Sequence, residues 1–183
     1  MANGPRERMV ASAVVLLAKA GVPGASFASV LEASDAPRGS IYHHFPDGKD
    51  ELVAAAVDLA GARSFAVLDS LAGLPAAQVV DGFLAMWRAV LVRSDLTAGC
   101  AVLAVVVSPG TPDLLDRAGD TFRGWRTRLA VLLEAGGVQH DDAAPLAATL
   151  VAASEGAVVL ARAERDLAPF DLVAEQLRRL LGP

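Results

Sequence analysis

The fold is decided by one stretch near the N-terminus, residues 36–52, which reads APRGSIYHHFPDGKDEL. Pro37 predicts the start of a helix, because the N–H that proline lacks would be unpaired there in any case, and Pro46 ends that helix after barely two turns. So short a helix is unstable alone in water. Ile41 and Phe45 lie four residues apart on one face and supply packing. The stretch therefore predicts a very short helix, held by its neighbours, with polar side chains facing outward.

The composition predicts a folded, all-helical chain with an apolar interface. Of the 183 residues, 54% are apolar and 20% are charged, which excludes disorder and is rich for a monomer. Helix-forming residues recur at helical spacing, and strand formers are not grouped into alternating runs. The net charge of −5 is uneven, with +1 on residues 1–49 and −6 on the remainder. This distribution favours contact with an anion at the N-terminal end only.

The residues before the decisive stretch complete a recognisable arrangement. A first helix is predicted from Pro5 to just before Gly21, and a second helix, capped by Ser26, over Phe27–Ser34. Only two residues then separate this second helix from Pro37. Helix, tight turn and short exposed helix form a helix-turn-helix, whose second helix enters the major groove of DNA.

Three side chains of this region have a specific interpretation on DNA. Arg38, near the start of the short helix, is placed to donate twice to guanine, although it could be an ordinary solvated charge. Gly39 lets the helix approach a thymine methyl or the backbone closely, although it could be only a weak helix residue. Lys49 begins the next helix, whose positive end attracts phosphate, although it could be a simple surface lysine.

The rest of the chain predicts a helical body in which two copies associate. Further helices are expected over residues 49–71, 75–97, 100–107, 112–135, 142–165 and 169–181, with Leu115, Leu160 and Leu180 among the inward-facing residues. The last two of these helices are apolar on more than one face and rich in small residues. They predict a four-helix interface between two copies, to which we assign Ala153 and Ala157.

The same body contains a candidate pocket for a drug-sized apolar ligand. Both tryptophans, a methionine and further apolar residues fall on helices that must pack around one region, although each residue taken singly is better explained as core. The predicted ligand-binding residues are Phe83, Met86, Trp87, Cys100, Leu103, Phe122 and Trp125.

Other classes of site are not predicted. His43 and His44 point about 100° apart on a helix, so they do not form a metal site, and no Cys-x-x-Cys supports one. Cys100 has an apolar flank that does not activate a thiol, and neither a phosphate loop nor a nucleophile elbow is present. We therefore expect no catalytic residues, no cofactor and no enzymatic activity.

The lone cysteine, the lack of a signal-peptide pattern and the polar breaks in residues 143–163 predict a cytoplasmic protein without a membrane span.

Residues 5–60 resemble the N-terminal domain of TetR-type transcriptional repressors. The family signature, Gly-x-x-Tyr-x-His-Phe followed by a lysine, is matched by GSIYHHF at residues 39–45 and by Lys49. The longer stretch APRGSIYHHFP at residues 36–46, with Gly48 and Lys49 after it, resembles the LmrA/YxaF branch of the family. Residues 98–100, Glu155, Gly156 and Arg162 resemble the same branch. Asp35 departs from the glycine that the family usually has in the turn. Its charge near the groove is unfavourable for binding DNA, although Asp tolerates the left-handed conformation.

The resemblance implies a DNA-binding domain over residues 1–48 and a ligand-binding and dimerisation domain over residues 49–183. It implies phosphate contacts at Tyr42, His43, His44 and Lys49 and an effector bound in the second domain. The complete predicted DNA-binding set is Ser26, Arg38, Gly39, Ser40, Tyr42, His43, His44 and Lys49. The expected function is a dimeric repressor that binds a palindromic operator on double-stranded DNA and is released by a small apolar or aromatic effector. The alternative is a helical homodimer that binds a small molecule and does not read DNA.

Overall fold

A computed structural model describes residues 4–37, 39–108 and 111–181 of the chain. Within these ranges it contains helices and no strand, which confirms the all-α prediction. The helices are α1 (Pro5–Gly24), α2 (Phe27–Ser34), α3 (Ser40–His44), α4 (Lys49–Ser70), α5 (Ala76–Arg93), α6 (Ala101–Val106), α7 (Pro112–Ala135), α8 (His140–Glu164) and α9 (Ala168–Arg179).

The chain divides by its internal contacts into two compact units. Unit 1 comprises Met1–Ala62 and Cys100–Thr121, and unit 2 comprises Arg63–Gly99 and Phe122–Pro183. Both α4 and α7 therefore contribute one segment to each unit. The predicted boundary between residues 48 and 49 divides a DNA-binding domain from a ligand-binding domain. A division by internal contacts does not test where these functions lie, so the boundary stays a prediction.

Unit 1 is built around α1, which packs against α2, α3 and α6. Met9 and Leu17 of α1 are buried in its core. Ile41 and Phe45 are also fully buried, so the packing role predicted for these two residues is confirmed. The regular part of α1 ends where predicted, because Gly21 has φ 67° and leaves the helical conformation.

Unit 2 is built around α5, α8 and α9, which pack against one another. Its core contains Phe83, Trp125 and Phe170. Two ion pairs join α9 to α5 at the surface. Arg88 Nε lies 2.9 Å from Asp171 Oδ1, and Arg178 Nε lies 2.6 Å from Asp81 Oδ1.

Several inward-facing assignments from the sequence are wrong. Leu115 is exposed, and its neighbour Leu114 is buried in its place, in phase with Ala118. Leu160 is exposed because Ala157 and Ala161 occupy the inner face of α8. Leu180 is also exposed, because α9 ends at Arg179 and Leu180 follows the helix. For Leu115 and Leu160 the predicted helical spacing was right, but the inner face of the helix was assigned to the wrong residues. For Leu180 the predicted end of the helix was wrong.

Helix α8 is the one described helix with the length and apolar content needed to cross a bilayer. It packs against α5 and α9, and nine of its residues, including Ser154 and Glu155, are buried. An apolar helix with this much buried surface is typical of the core of a helical domain.

Candidate functional site

The candidate site begins at the N-terminus of α2, where Ser26 caps the helix. Its Oγ accepts a hydrogen bond from the backbone N–H of Ser29 at 3.1 Å and lies 2.7 Å from Ser29 Oγ. Such a cap satisfies one of the backbone donors that a helix start leaves unpaired. The structure therefore gives Ser26 a structural role, and its predicted contact with DNA stays a prediction.

The turn between α2 and α3 depends on Asp35, which has φ 50° and ψ 42° in the left-handed region. Few residues other than glycine adopt this conformation readily, and Asp is one of them. Arg8 of α1 holds Ser34, the residue before this turn, because Arg8 Nε donates to the Ser34 carbonyl oxygen at 3.2 Å. The side chain of Asp35 is exposed, so its negative charge lies on the surface beside α3.

Helix α3 is shorter than the sequence predicts. Both the backbone N–H and the hydroxyl of Ser40 donate to the Pro37 carbonyl oxygen, at 2.9 and 2.7 Å. These two bonds close a turn before the helix begins, so the helix starts at Ser40 and the predicted start at Pro37 is wrong. The predicted base-reading residue Arg38 lies outside the described residues. The backbone of Gly39 borders open space, since a Cβ there would meet nothing within 4 Å.

The outward face of α3 presents an aromatic hydroxyl and two imidazoles. Tyr42 is 68% exposed, and its ring meets the edge of Phe27 at a centroid distance of 5.5 Å. His43 is exposed and His44 is half-buried, with their ring centroids 5.4 Å apart. The contact between Tyr42 and Phe27 was not predicted, and no periodicity in the sequence indicates it.

Lys49 is the first residue of α4 and follows Gly48, whose φ is 91°. Glu51 closes the start of this helix by accepting from the backbone N–H of Asp47 at 3.2 Å. An ammonium group at a helix start adds to the positive end of the helix dipole. Lys49 therefore stands at an anion-attracting position in the same unit as Tyr42 and His43.

Two family models match the chain that carries this arrangement. Residues 10–56 match the model described as bacterial regulatory proteins of the tetR family. Residues 76–176, more than half of the chain, match the model described as the C-terminal domain of LmrA/YxaF-like transcriptional regulators. The chain belongs to the TetR family.

Individual relatives support this assignment. The chain is 39% identical over 186 residues to an uncharacterised HTH-type transcriptional regulator of Mycobacterium tuberculosis, covering 98% of this chain and 95% of that protein. A TetR regulator from Legionella pneumophila has the same fold, with a TM-score of 0.87, 23% identity and 98% of both chains covered. A cysteine mutant of the TetR-family regulator CifR, complexed with 26-bp double-strand operator DNA, has a TM-score of 0.69, 24% identity and coverage of 98% of this chain and 97% of that chain. Each of these relatives is described as a transcriptional regulator.

An aromatic cluster in unit 2 of this TetR-family regulator contains much of the predicted effector pocket. The rings of Trp87 and Trp125 meet edge to face with centroids 6.0 Å apart, and Phe122 meets Trp125 in the same way at 5.1 Å. Phe83 is buried one turn before Trp87, whereas Met86 is half-buried. The assignment of these residues to a pocket stays a prediction.

The two remaining predicted pocket residues belong to unit 1. Cys100 is buried and caps α6, where its Sγ accepts from the backbone N–H of Leu103 at 3.3 Å. This contact gives Cys100 a local structural role. Contact of Cys100 or Leu103 with a ligand likewise stays a prediction.

The indole N–H groups of the aromatic cluster are buried without a hydrogen-bond partner. Trp87 is 5% exposed and Trp125 is 1% exposed, and neither Nε1 atom reaches an acceptor. A buried donor left in this state costs about 1–3 kcal/mol. A hydrogen-bond acceptor beside either indole N–H would therefore stabilise the protein. The sequence alone does not indicate that these two N–H groups are unpartnered.

The outer face of α8 is a stripe of small and apolar residues. Ala152, Gly156, Val159, Leu160 and Ala163 are all exposed and recur at helical spacing. Ala157, which the sequence led us to place at an interface between copies, is 2% exposed and lies in the core of its own chain. The assignment of Ala157 is therefore wrong, because the neighbouring α5 and α9 cover that face of α8.

Metal-ligating side chains do not gather in this protein as far as the structure describes it. Among those residues, no group of three or more His, Cys, Asp or Glu side chains could hold a metal ion. The pairs His43 with His44 and His140 with Glu134, the latter joined at 3.0 Å, each fall short of a ligand set.

Proposed function

We propose that this TetR-family regulator is a dimeric repressor that reads a palindromic operator and is released by a small aromatic effector. One observation carries the proposal: Ile41 of α3 and Phe45, the residue after it, are completely buried, while Tyr42 and His43 project into solvent. A helix with one face locked into the core and a polar face left exposed is suited to docking as a rigid body in a DNA groove.

Contact with DNA would combine positioning and base reading. Tyr42 and Lys49 would bind phosphates and set the register, since hydroxyl and ammonium groups are common donors to phosphate oxygens. Gly39 would let α3 approach the groove floor, and Arg38 would read a guanine. The operator complex of CifR supports a DNA-bound state for this fold.

Dimerisation would use the exposed stripe of α8 together with α9. Val159 and Leu160 on α8, and Leu172 on α9, expose apolar side chains that a second copy would cover. Small residues at Ala152, Gly156 and Ala163 would let two α8 helices approach closely. A two-fold dimer would place two α3 helices on the two halves of a palindromic site.

An effector would act by binding more tightly to the conformation of the dimer that fits the operator poorly. The aromatic cluster of unit 2 is the place we propose for it, because pockets for drug-sized ligands are lined predominantly by hydrophobic and aromatic side chains. Effector and operator would then weaken each other's binding by the same factor. A cytoplasmic location follows from this role.

Selection from a random duplex library tests the proposal. We expect the protein to enrich a palindromic sequence whose half-sites are separated by about one helical turn, ~34 Å, or a multiple of it. Tyr42→Ala should weaken binding to the selected site, whereas the control Val131→Ala, at an exposed position on α7, should not. Failure to enrich any sequence, with binding that is equal for all duplexes, would contradict the proposal.

One feature favours the alternative, a small-molecule-binding homodimer that does not read DNA. The exposed carboxylate of Asp35 lies next to α3 and would repel phosphates. Under this alternative, the selection would yield no site, while aromatic compounds would still raise the melting temperature of the protein.

A further inference from the structure

We propose that a groove between α2 and α3 binds a small organic cation with an apolar body, and that the bound cation blocks contact with DNA. The groove has a volume of about 730 Å³, which is within the range of ligand-binding clefts. It lies wholly in unit 1 and shares no residue with the aromatic cluster of unit 2. The residues that line this α2–α3 groove are Phe27, Ala28, Leu31, Glu32, Ala36 and Tyr42.

Two aromatic rings line the α2–α3 groove. Tyr42 is 68% exposed, so most of its ring is open to solvent, and Phe27 is half-buried beside it. The two rings meet nearly at right angles, with an interplanar angle of 81°. The face of an aromatic ring is negative and attracts a cation, most strongly an organic cation with little hydration to lose. Leu31 and Ala36 add apolar surface that suits the body of such a ligand.

The charges at the groove select a cation over an anion or a neutral molecule. Glu32 lines the groove and is exposed, and Asp35, three residues later, is exposed as well. Within the part of the chain that the structure describes, neither carboxylate is paired with a cation. An anionic ligand would be repelled by both carboxylates, and a neutral ligand would gain nothing from them. A cation would gain from the carboxylate of Glu32 and from the ring of Tyr42 together.

A ligand in this groove would compete with DNA, because Tyr42 lines the groove and is also the residue that we propose to bind a phosphate. The positive charge of the ligand by itself would favour DNA, so the competition would come from its bulk. This second part of the inference rests on the proposed function, whereas binding of the cation does not. By linkage, the operator would weaken binding of the cation by the same factor.

The sequence supplies a specific reporter, because Tyr42 is the one tyrosine of the chain. Labelling with 3-fluorotyrosine therefore places a single fluorine nucleus at the groove, and its NMR signal can be followed in a titration. The two probes are 3-hydroxyphenyltrimethylammonium and its neutral isostere 3-tert-butylphenol, in which carbon replaces nitrogen. Because the two probes have the same shape, the ratio of their dissociation constants measures the effect of the charge. Calorimetry on unlabelled protein checks that the fluorine does not alter binding.

We expect the cation to bind roughly 5- to 30-fold more tightly than its isostere. Glu32→Gln should reduce this ratio by roughly two- to fivefold, the range of an exposed ion pair. Glu164→Gln is the matched control, because it removes the same charge from an exposed position at the end of α8, and it should leave the ratio unchanged. Melting curves check that both variants are folded.

Three results would overturn the cation site. The first is a fluorine signal that shows no saturable shift with either probe. The second is a ratio of dissociation constants below about twofold, which would indicate a groove for neutral apolar molecules. The third is an equal effect of Glu32→Gln and Glu164→Gln, which would show that the net charge of the protein attracts the cation.

A separate titration with operator tests the block of DNA contact. At a cation concentration of about ten times its dissociation constant, competition should weaken operator binding roughly 10-fold, relative to sodium chloride at the same ionic strength. Unchanged operator affinity under these conditions would overturn the block and leave the cation site in place. The fluorine titration contains no DNA, so it decides the cation site even if selection yields no operator and the proposed function fails.

Discussion

At the scale of single residues, Asp35 combines a conformational requirement with an electrostatic cost. It adopts φ 50° in the turn between α2 and α3, and its carboxylate is exposed beside the helix proposed to enter DNA. Asparagine shares the tolerance of aspartate for this conformation and has no charge. Substitutions at this position therefore separate the two effects.

Asp35→Asn should strengthen binding to all DNA sequences alike. Removing one like charge at roughly 8 Å in water is worth about 0.5 kcal/mol, or roughly a twofold change in affinity. Asp35→Ala removes the same charge but should lower the free energy of unfolding by about 1 kcal/mol, because alanine is strained in the left-handed region. Melting curves and titrations of specific and random duplexes measure both effects. Weaker DNA binding by Asp35→Asn would show that the carboxylate contributes to the interface.

Arg38 and Lys49 should have separable roles on the operator. Arg38→Ala should relax specificity at one base pair of each half-site and cost ~1–3 kcal/mol, because a guanidinium can donate twice to guanine. Lys49→Ala should weaken binding to all sequences alike and reduce the slope of affinity against salt concentration. Repeated site selection and salt titrations distinguish the two variants. If Lys49→Ala changed the selected sequence and Arg38→Ala did not, the assignment would be reversed.

At the scale of secondary-structure elements, we expect the attachment of α9 to α5 to depend on pH. Arg88 donates from Nε and from Nη2 to the two carboxylate oxygens of Asp171, at 2.9 and 3.2 Å. These hydrogen bonds hold the pKa of Asp171 below its usual range, and the positive charge of Arg88 acts in the same direction. A lowered pKa in the folded state means that the pair stabilises the fold above the ordinary carboxyl pKa and loses this effect as the pH falls through the lowered pKa.

Asp171→Asn should therefore destabilise the protein near pH 7 by a small amount, about 0.2–1 kcal/mol, because both side chains are half-exposed. The difference from the parent should shrink as the pH falls below about 4, the ordinary carboxyl pKa, and should disappear once the pH is below the lowered pKa of Asp171 in the folded protein. Urea unfolding across this pH range provides the measurement. Asp116→Asn, at an exposed position on α7, is the control. A difference that persists at low pH would show that Asp171 acts through packing.

At the scale of the whole molecule, the stripe on α8 is expected to hold two copies together. Val159→Glu should produce monomers and abolish operator binding, because a buried unpaired charge at an interface costs several kcal/mol and a monomer has half of the DNA contacts. Val131→Glu is the matched control, since both valines are about half-exposed and only Val159 lies on the stripe. Light scattering gives the oligomeric state. A dimer for Val159→Glu would place the interface elsewhere.

Coupling between effector and operator is also a property of the whole molecule. An aromatic effector should quench the fluorescence of Trp87 and Trp125 at the concentrations that release the operator. A coupling of ~1–3 kcal/mol corresponds to roughly 5- to 150-fold weaker operator binding at saturating effector, and to an equal weakening of effector binding by operator. Titrations in both directions test this reciprocity. Release of operator without any change in fluorescence would place the effector away from the tryptophans.

The sequence by itself determined the helical elements, because the signals that start and stop helices are local. The capping serine Ser26 gave the bounds Phe27–Ser34, and proline at the start with glycines at the end gave Pro112–Ala135, both as observed. Spacing placed Ile41 and Phe45 on one buried face. The short exposed helix after a tight turn could therefore be predicted without coordinates, and the signature at residues 39–45 with Lys49 gave the resemblance to the TetR family.

Only the tertiary structure decided which faces of these helices are covered. Spacing shows which residues share a face, but a helix that is apolar on more than one face, such as α8, does not show which face meets its neighbours. For this reason Ala157 proved to be core and Val159 exposed. Three other features depend on the positions of atoms in three dimensions. They are the turn after which α3 begins at Ser40, the contact of Tyr42 with Phe27, and the unpartnered N–H groups of Trp87 and Trp125. No local sequence signal contains those positions, because each results from how separate segments pack together.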